Sequence, residues 1–279
     1  MGEGALPLAA LLAWLVSQNL GAAIAKSLFP VVGVEGMTAL RIGLSALLLL
    51  AFWRPWRARL AGRDVVNVAL YGAMLGGMNL RIYQAFGRIP IGIATAIETT
   101  GPLVVVLAAS RRALDVAWVA LALAGLALLL PLASDRALDS PGLAFGAAAS
   151  WALYIVFGKR VSTLARGQAV SLGMLVAALF AVPIGVPHAS AAMWVPMTLL
   201  AGLGVALLSS AVPYSLEMAA LRRMPRHVFG ILVSAPPAVG AACGALVLGE
   251  RLDGLQWLAI GCIIAASAGG AATGRADPA

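Results

Sequence analysis

The sequence predicts an all-α membrane protein: ten transmembrane helices arranged as two inverted five-helix repeats around a central cavity. Three observations lead there. The chain is apolar throughout, its basic residues fall in one alternate set of loops, and its first half repeats in its second. Of 279 residues, 62% are hydrophobic and 11% charged, with a mean hydropathy of +0.97. A soluble domain carries about a quarter charged residues. The net charge of +8 sits in short loops between apolar runs, so lipid and topology account for it and nucleic acid is not an expected partner.

Ten spans are predicted, near 6–26, 36–54, 65–86, 91–109, 114–133, 141–160, 168–187, 196–217, 228–248 and 254–273. Each approaches the roughly 20 residues needed to cross about 30 Å of hydrocarbon. Residues 6–25 lack the charged n-region of a signal peptide and recur later, so they read as a mature helix. One set of loops holds Arg54, Arg57, Arg59, Arg63, Arg111, Arg112, Lys159, Arg160, Arg166, Arg222, Arg223, Arg226 and Arg275. The other holds Lys26, Arg88, Arg136 and Arg251. Thirteen against four puts the first set, and both termini, in the cytoplasm.

The repeat is visible in three places. LAWLVSQNLG around Trp14 matches SWALYIVFG around Trp151 at an offset of 137. GRIPIGIATAIETTGP matches RRMPRHVFGILVSAPP at an offset of 135, pairing Pro90 with Pro225 and Pro102 with Pro237. ALDVAW then matches RLDGLQW. The two units are 1–136 and 137–279. Each has five spans, an odd number, so the second enters the membrane from the opposite side. Inverted duplication is common in alternating-access carriers, with the site at the repeat interface near the midplane.

The candidate site centres on residues 88–107, where Glu98, Thr99 and Thr100 precede Gly101-Pro102. A carboxylate in hydrocarbon is costly and usually faces a cavity or a partner. Pro102 lacks the N–H that would bond the carbonyl of residue 98, which opens backbone beside the carboxylate. The third and fourth spans form a hairpin turning at 87–90, which places Arg81 and Glu98 at similar depth, as an ion pair or as two halves of a site. Arg41, on the second span at a comparable outer depth, is a second candidate partner for Glu98, with snorkelling to the outer interface the favoured expectation. Asn79 and Tyr83 share one helix face and are favoured as cavity lining. Gln18 and Asn19 on the first span, with Ser150 and Tyr154 on the sixth, occupy nearly matching repeat positions. In the eighth span Pro213 kinks the helix, Tyr214 offers a ring face to an ammonium, and Glu217 is expected to snorkel. Pro236 and Pro237 are expected to break the ninth span near mid-membrane, mirroring Pro102. The hinge candidates are therefore Pro102, Pro213, Pro236 and Pro237. Glycines at 72/76, 142/146 and 240/244 allow close helix packing.

Cys243 and Cys262 lie in apolar runs, and His188 and His227 lie in loops on opposite sides. No nucleotide loop, metal-ligand spacing or hydrolase motif appears, so no cofactor, metal or enzymatic activity is expected.

These features resemble the EamA branch of the drug/metabolite transporter superfamily. The resemblance rests on the two five-span units, the prolines of the fourth and ninth spans, and the LGE-x-L loop at 248–252. It extends to the strings AKSLFPVVGVEGMTALRIGL (25–44), YGAMLGGMN (71–79), IETTGPL (97–103), SRR-x-LD-x-x-WV (110–119), SSAVPYSLEMAAL (209–221) and IIAASAG (263–269), which look like those of bacterial exporters of threonine and homoserine. It implies an inner-membrane exporter of small amino acids, working by alternating access and driven by proton exchange. The chain departs from the pattern at Pro236, where the family often has Glu, and at Leu80-Arg81-Ile82, where exporters have an aromatic-rich string. On this reading Arg81 with Asn79 receives the substrate carboxylate. Glu98, or Tyr83 with Tyr214, receives the ammonium, and Glu98 carries the coupled proton. The residues leave other cargoes open: aromatic amino acids, other metabolites or drug-like cations. A channel or a scaffold does not account for paired discontinuities in inverted repeats.

Overall fold

In a computed structural model, residues 5–57, 60–108, 113–129, 139–161, 164, 167–213, 216 and 234–273 are described. Among them the secondary structure is all helical. The long helices are α1 (Ala5–Ser27), α2 (Val34–Trp53), α3 (Gly62–Phe86), α4 (Ile91–Ala108), α5 (Ala113–Leu129), α6 (Asp139–Val161), α7 (Gln168–Gly185), α8 (Pro196–Ala206), α9 (Pro236–Leu248) and α10 (Gly254–Thr273). Four stretches have the length and apolarity to cross a bilayer: Val34–Trp53, Gly62–Phe86, Pro141–Val161 and Gln168–His188. Shorter apolar helices accompany them at Ile91–Val105, Val116–Leu129, Pro196–Ala211, Pro236–Leu248 and Gly254–Gly270. Helix is the expected state, because in hydrocarbon each backbone N–H and C=O needs a partner within the segment. Large apolar side chains such as Leu47, Leu179, Met197, Leu246 and Leu258 point outward. On a membrane protein such a surface meets lipid.

The helix ends follow local chemistry. A single turn at Phe29–Val32 joins α1 to α2 and closes on Gly33, whose φ of 87° suits glycine. Pro196 opens α8 at a position where a missing N–H costs nothing. Pro236 and Pro237 likewise open α9, with Ala235 as the flanking residue. They do not interrupt the middle of a described helix, which differs from the expected mid-span break; residues 217–233, which precede them, lie outside the described part. Pro102 does sit within α4, which continues past it to Ala108. At the end of α9, Gly249 adopts φ 67° and turns the chain sharply.

Packing brings distant segments together. α2 packs on α7, α4 on α9, and α5 on α10. α3 packs on both α6 and α7, α4 on α6, α1 on α8 and α9, and α2 on α8. The largest apolar cluster joins Met37, Ile82, Tyr83, Ile91, Ile97, Leu129, Val205 and Ile260. A second, between α2, α3 and α7, contains Ile42, Leu49, Leu75, Val170 and Met174.

One end of the bundle is tied by polar bonds. Lys26 Nζ donates to Glu250 Oε1 at 2.6 Å and to the Ile89 carbonyl at 2.8 Å. The other oxygen of Glu250 accepts the Ile91 N–H at 3.0 Å, at the start of α4. The turn at Gly249 is what folds Glu250 back, close over Gly244. At the same end Ser190 N donates to the Val32 carbonyl at 3.1 Å, and Gln84 Nε2 donates to Glu35 Oε1 at 3.3 Å.

The 72/76 glycine pair serves packing within the bundle. A Cβ at Gly72 would meet Val176 and the Gly173 carbonyl, and one at Gly76 would collide with the Phe180 ring. Overpacking of this kind costs about 1–3 kcal/mol. Gly76→Leu is therefore expected to lower the melting temperature of the detergent-solubilised protein, while a leucine at Gly62, where nothing lies within 4 Å, leaves it unchanged.

Candidate functional site

A cavity opens where α1, α2, α3, α4, α6, α9 and the turn after α8 converge. Trp14, Gln18, Arg41, Asn79, Tyr83, Thr95, Glu98, Trp151, Ser209 and Pro236 are among its lining residues. Proline chemistry explains part of it. Residues Leu207–Ala211 form a π-helical turn, with the Val212 N–H bonded to the Leu207 carbonyl. Pro213 follows and has no N–H to give, so the carbonyls four and five residues before it, Ser209 and Leu208, are left open. Side chains take both. Ser17 Oγ donates to the Leu208 carbonyl at 2.6 Å. Arg41 Nη2 donates to the Ser209 carbonyl at 3.4 Å, and Arg41 Nε to Ser210 Oγ at 3.3 Å. π-turns of this kind recur at functional sites.

Arg41 is thus held inside the bundle, 4% exposed, with its guanidinium 4.7 Å from the centre of the Tyr83 ring. Such a contact is worth about 2 kcal/mol when desolvated. This corrects the expected snorkelling of Arg41: one freed carbonyl, a serine hydroxyl and a ring face give it partners in the interior. Tyr83 also packs on Phe29 and Phe86, with ring centres 5.8 and 5.6 Å away.

Glu98 lines the same cavity and is buried. Among the described residues its carboxylate has no hydrogen bond and no ion pair; the Lys26–Glu250 pair lies away from the cavity lining. The cavity therefore presents a guanidinium and a carboxylate that do not neutralise each other by contact. Asn19 and Asn79 donate back to the carbonyls of Leu15 and Leu75, at 2.8 and 2.7 Å. Thr95 and Ser209 return their hydroxyls to Ile91 and Val205, at 2.8 and 2.6 Å. A guanidinium and a carboxyl group with hydroxyls and aromatic rings suit a small zwitterion. Among the described residues no group of His, Cys, Asp and Glu could hold a metal ion.

The expected residues divide. Gln18, Asn79, Tyr83, Glu98 and Pro236 come together at the cavity. Arg81 does not join them. It is exposed, donates to Ser150 Oγ at 3.0 Å and to the Gly77 carbonyl at 3.4 Å, and lies along Gly146. The packing of α3 turns Arg81 toward α6. Tyr154 stacks on Tyr71 at 4.8 Å with a 3.0 Å hydroxyl bond, in an apolar cluster with Val68 and Val161. Pro102 and Pro237 do not line the cavity, and Pro213 acts through the carbonyls it leaves free. Tyr214 and Glu217 lie outside the described residues. The sequence does not single out Trp14, Trp151, Thr95 or Ser209 as site residues, and it offers Arg41 only as a second partner for Glu98. The two tryptophans carried a signal, since they anchor the repeat at matching positions.

Residues 141–269 match the EamA-like transporter family. The chain is 48% identical over 276 residues to the threonine/homoserine exporter RhtA of Salmonella typhimurium (strain LT2), covering 98% of this chain and 94% of that protein. It is 48% identical over 275 residues to RhtA of Escherichia coli (strain K12), covering 98% and 93%. It is 28% identical over 260 residues to YedA of Escherichia coli K12, an uncharacterized inner membrane transporter, covering 84% and 81%. A solved crystal structure superposes with a TM-score of 0.65 at 20% identity, covering 97% of this chain and 96% of that one, which supports the fold.

Removing a bond to one of the freed carbonyls tests the local account. Ser17→Ala leaves the half-buried Leu208 carbonyl without its donor, at a cost of about 0.5–1.5 kcal/mol. A lower melting temperature is expected for Ser17→Ala, and an unchanged one for Ser27→Ala, whose hydroxyl bond is exposed.

Proposed function

This chain belongs to the EamA-like transporter family, and from that premise we propose that it exports small amino acids of the threonine and homoserine class across the bacterial inner membrane. The observation that carries the reading is the cavity shared by Arg41 and Glu98, two buried opposite charges without a mutual bond. A zwitterion supplies the missing halves: its carboxylate meets Arg41 and its ammonium meets Glu98. Asn79, Tyr83 and Gln18 complete the lining, and Arg81 steadies α3 against α6. The 48% identity to curated threonine/homoserine exporters over nearly the whole chain supports the cargo.

The mechanism proposed is alternating access by two inverted five-helix units, 1–136 and 137–279, with ten crossings and both termini in the cytoplasm. The packing supports the duplication. Adding five to a helix number in the first unit leaves the pairs α2–α7, α4–α9 and α5–α10 unchanged. The same exchange turns α3–α6 into α8–α1, α4–α6 into α9–α1, and α3–α7 into α8–α2, all of which occur. The basic loops orient the bundle so that the tie of Lys26, Glu250 and Ile91 faces outward. In this state the outer end is closed, and export requires that tie to break.

Glu98 is the proposed coupling group. Its carboxylate is free of protein partners among the described residues and borders the cavity, so it can exchange a proton for a substrate ammonium. The rings of Trp14, Tyr83, Phe86 and Trp151 around the cavity favour a second cargo on the same carrier, aromatic amino acids.

The test is counterflow in proteoliposomes, with labelled threonine outside and single unlabelled amino acids inside. Trans-stimulation by threonine and homoserine is expected; stimulation by phenylalanine alone would move the cargo to the aromatic class, and none by any amino acid would refute the reading. Glu98→Gln is expected to retain exchange but lose accumulation driven by a pH gradient. Lys26→Met and Glu250→Gln are each expected to raise labelling of a cavity cysteine by an outside thiol reagent several-fold, and unchanged labelling in both would remove the tie from the cycle.

A further inference from the structure

Two buried polar atoms among the described residues have no hydrogen-bond partner: the indole Nε1 of Trp14 and the hydroxyl of Tyr83. The side chains are 4% and 1% exposed, and both line the cavity that holds Arg41 and Glu98. Buried polar groups are nearly always satisfied, and one left without a partner carries its full desolvation penalty. Their neighbours show how easily a partner is found, since Asn19, Asn79, Thr95 and Ser209 all bond carbonyls of their own helices. Neither Trp14 nor Tyr83 can do this, because the rigid ring carries the polar atom away from its own backbone.

Their chemistry narrows what they await. An indole N–H only donates, and a phenol hydroxyl donates or accepts. An ammonium cannot satisfy Trp14. The charged ends of a zwitterion already have Arg41 and Glu98. What remains of threonine or homoserine is one side-chain hydroxyl, which accepts one bond and donates another. We propose that Trp14 Nε1 and the Tyr83 hydroxyl form the subsite that reads the side-chain hydroxyl of the exported amino acid, an inference that rests on the export reading above. The hydroxyl oxygen accepts from Trp14, and its hydrogen is donated to the Tyr83 oxygen. A methyl in the same place leaves both protein groups unpaired, which is how a site built for a hydroxyl rejects an apolar isostere. The ring of Tyr83 is set for this by Arg41 on its face and by Phe29 and Phe86 beside it.

Threonine and valine differ by a hydroxyl for a methyl, so the ratio of their kcat/KM values in proteoliposomes reads the subsite. In the unaltered protein the ratio is expected to favour threonine by about tenfold or more. Tyr83→Phe removes one oxygen and keeps the ring contacts. Trp14→Phe removes the N–H. Each is expected to lower the ratio at least several-fold, with homoserine against norvaline changing in parallel. Ratios unchanged in both variants, or both substrates weakened equally, would overturn the inference, because the two groups would then serve the shared backbone of the substrate or the fold alone. The shift in melting temperature on adding each amino acid to solubilised protein gives the same comparison for a variant that transports poorly. An unaltered protein that moves no amino acid would overturn the export reading itself, whereas one that moves both with ratios insensitive to the variants would overturn this inference only.

Discussion

The interior of this protein depends on keeping a guanidinium charged and satisfied away from water. Arg41 is buried by helices from both halves of the chain, and a buried charge without partners costs several kcal/mol. Its partners exist because Pro213 withholds an N–H and the turn before it is π-helical. The open Ser209 carbonyl, the Ser210 hydroxyl and the Tyr83 ring then surround the side chain. Loss of helical regularity in α8 is thereby converted into a polar wall for the cavity. Ser17 takes the neighbouring carbonyl and attaches α1 to the same turn.

Placement of the other groups follows. Tyr83 is pinned between Arg41, Phe29 and Phe86, which orients the cavity face of α3. Asn79 lies one turn earlier on that face. Glu98 faces the cavity from α4, whose close approach to α6 requires Gly101, since a Cβ there would collide with the Ala148 carbonyl. The far end of α4 is held by Glu250, which accepts the Ile91 N–H while it pairs with Lys26. A carboxylate suits a helix N-terminus, so this tie combines a charge pair with the helix dipole. These bonds link α1, α4 and the loop after α9 at one end of the bundle.

Much of this was legible in the chain. Apolar runs gave the helices, because hydrocarbon leaves the backbone no other partner. The recurrence of Trp14 at Trp151 and of Pro102 at Pro237 predicted duplication, and the exchange of packed pairs between halves is consistent with it. Glu98 was legible as a carboxylate with no local reason to be there, and Asn79, Tyr83 and Gln18 by their shared or matching positions. The sequence favours Arg81 and offers Arg41 second, whereas the structure turns Arg81 toward α6 and holds Arg41 at the cavity. Depth along a helix is readable from residue number, but rotation about its axis depends on which neighbour packs against it. For Arg81 that neighbour is α6, where Ser150 and the space beside Gly146 receive the side chain.

By itself, then, the sequence determined an all-helical membrane chain, the number and order of its apolar runs, the direction of its charge asymmetry, and the presence of one carboxylate that packing alone would not require. These are properties of residue type and spacing, which the bilayer reads directly. The tertiary structure decided which cation shares the cavity with Glu98, which polar atoms are spent on their own helices, and which are left waiting. Those outcomes depend on carbonyls freed by Pro213, on the rotation of α3, and on contacts between residues more than a hundred positions apart. No local pattern encodes them, because each is settled only when two distant helices meet.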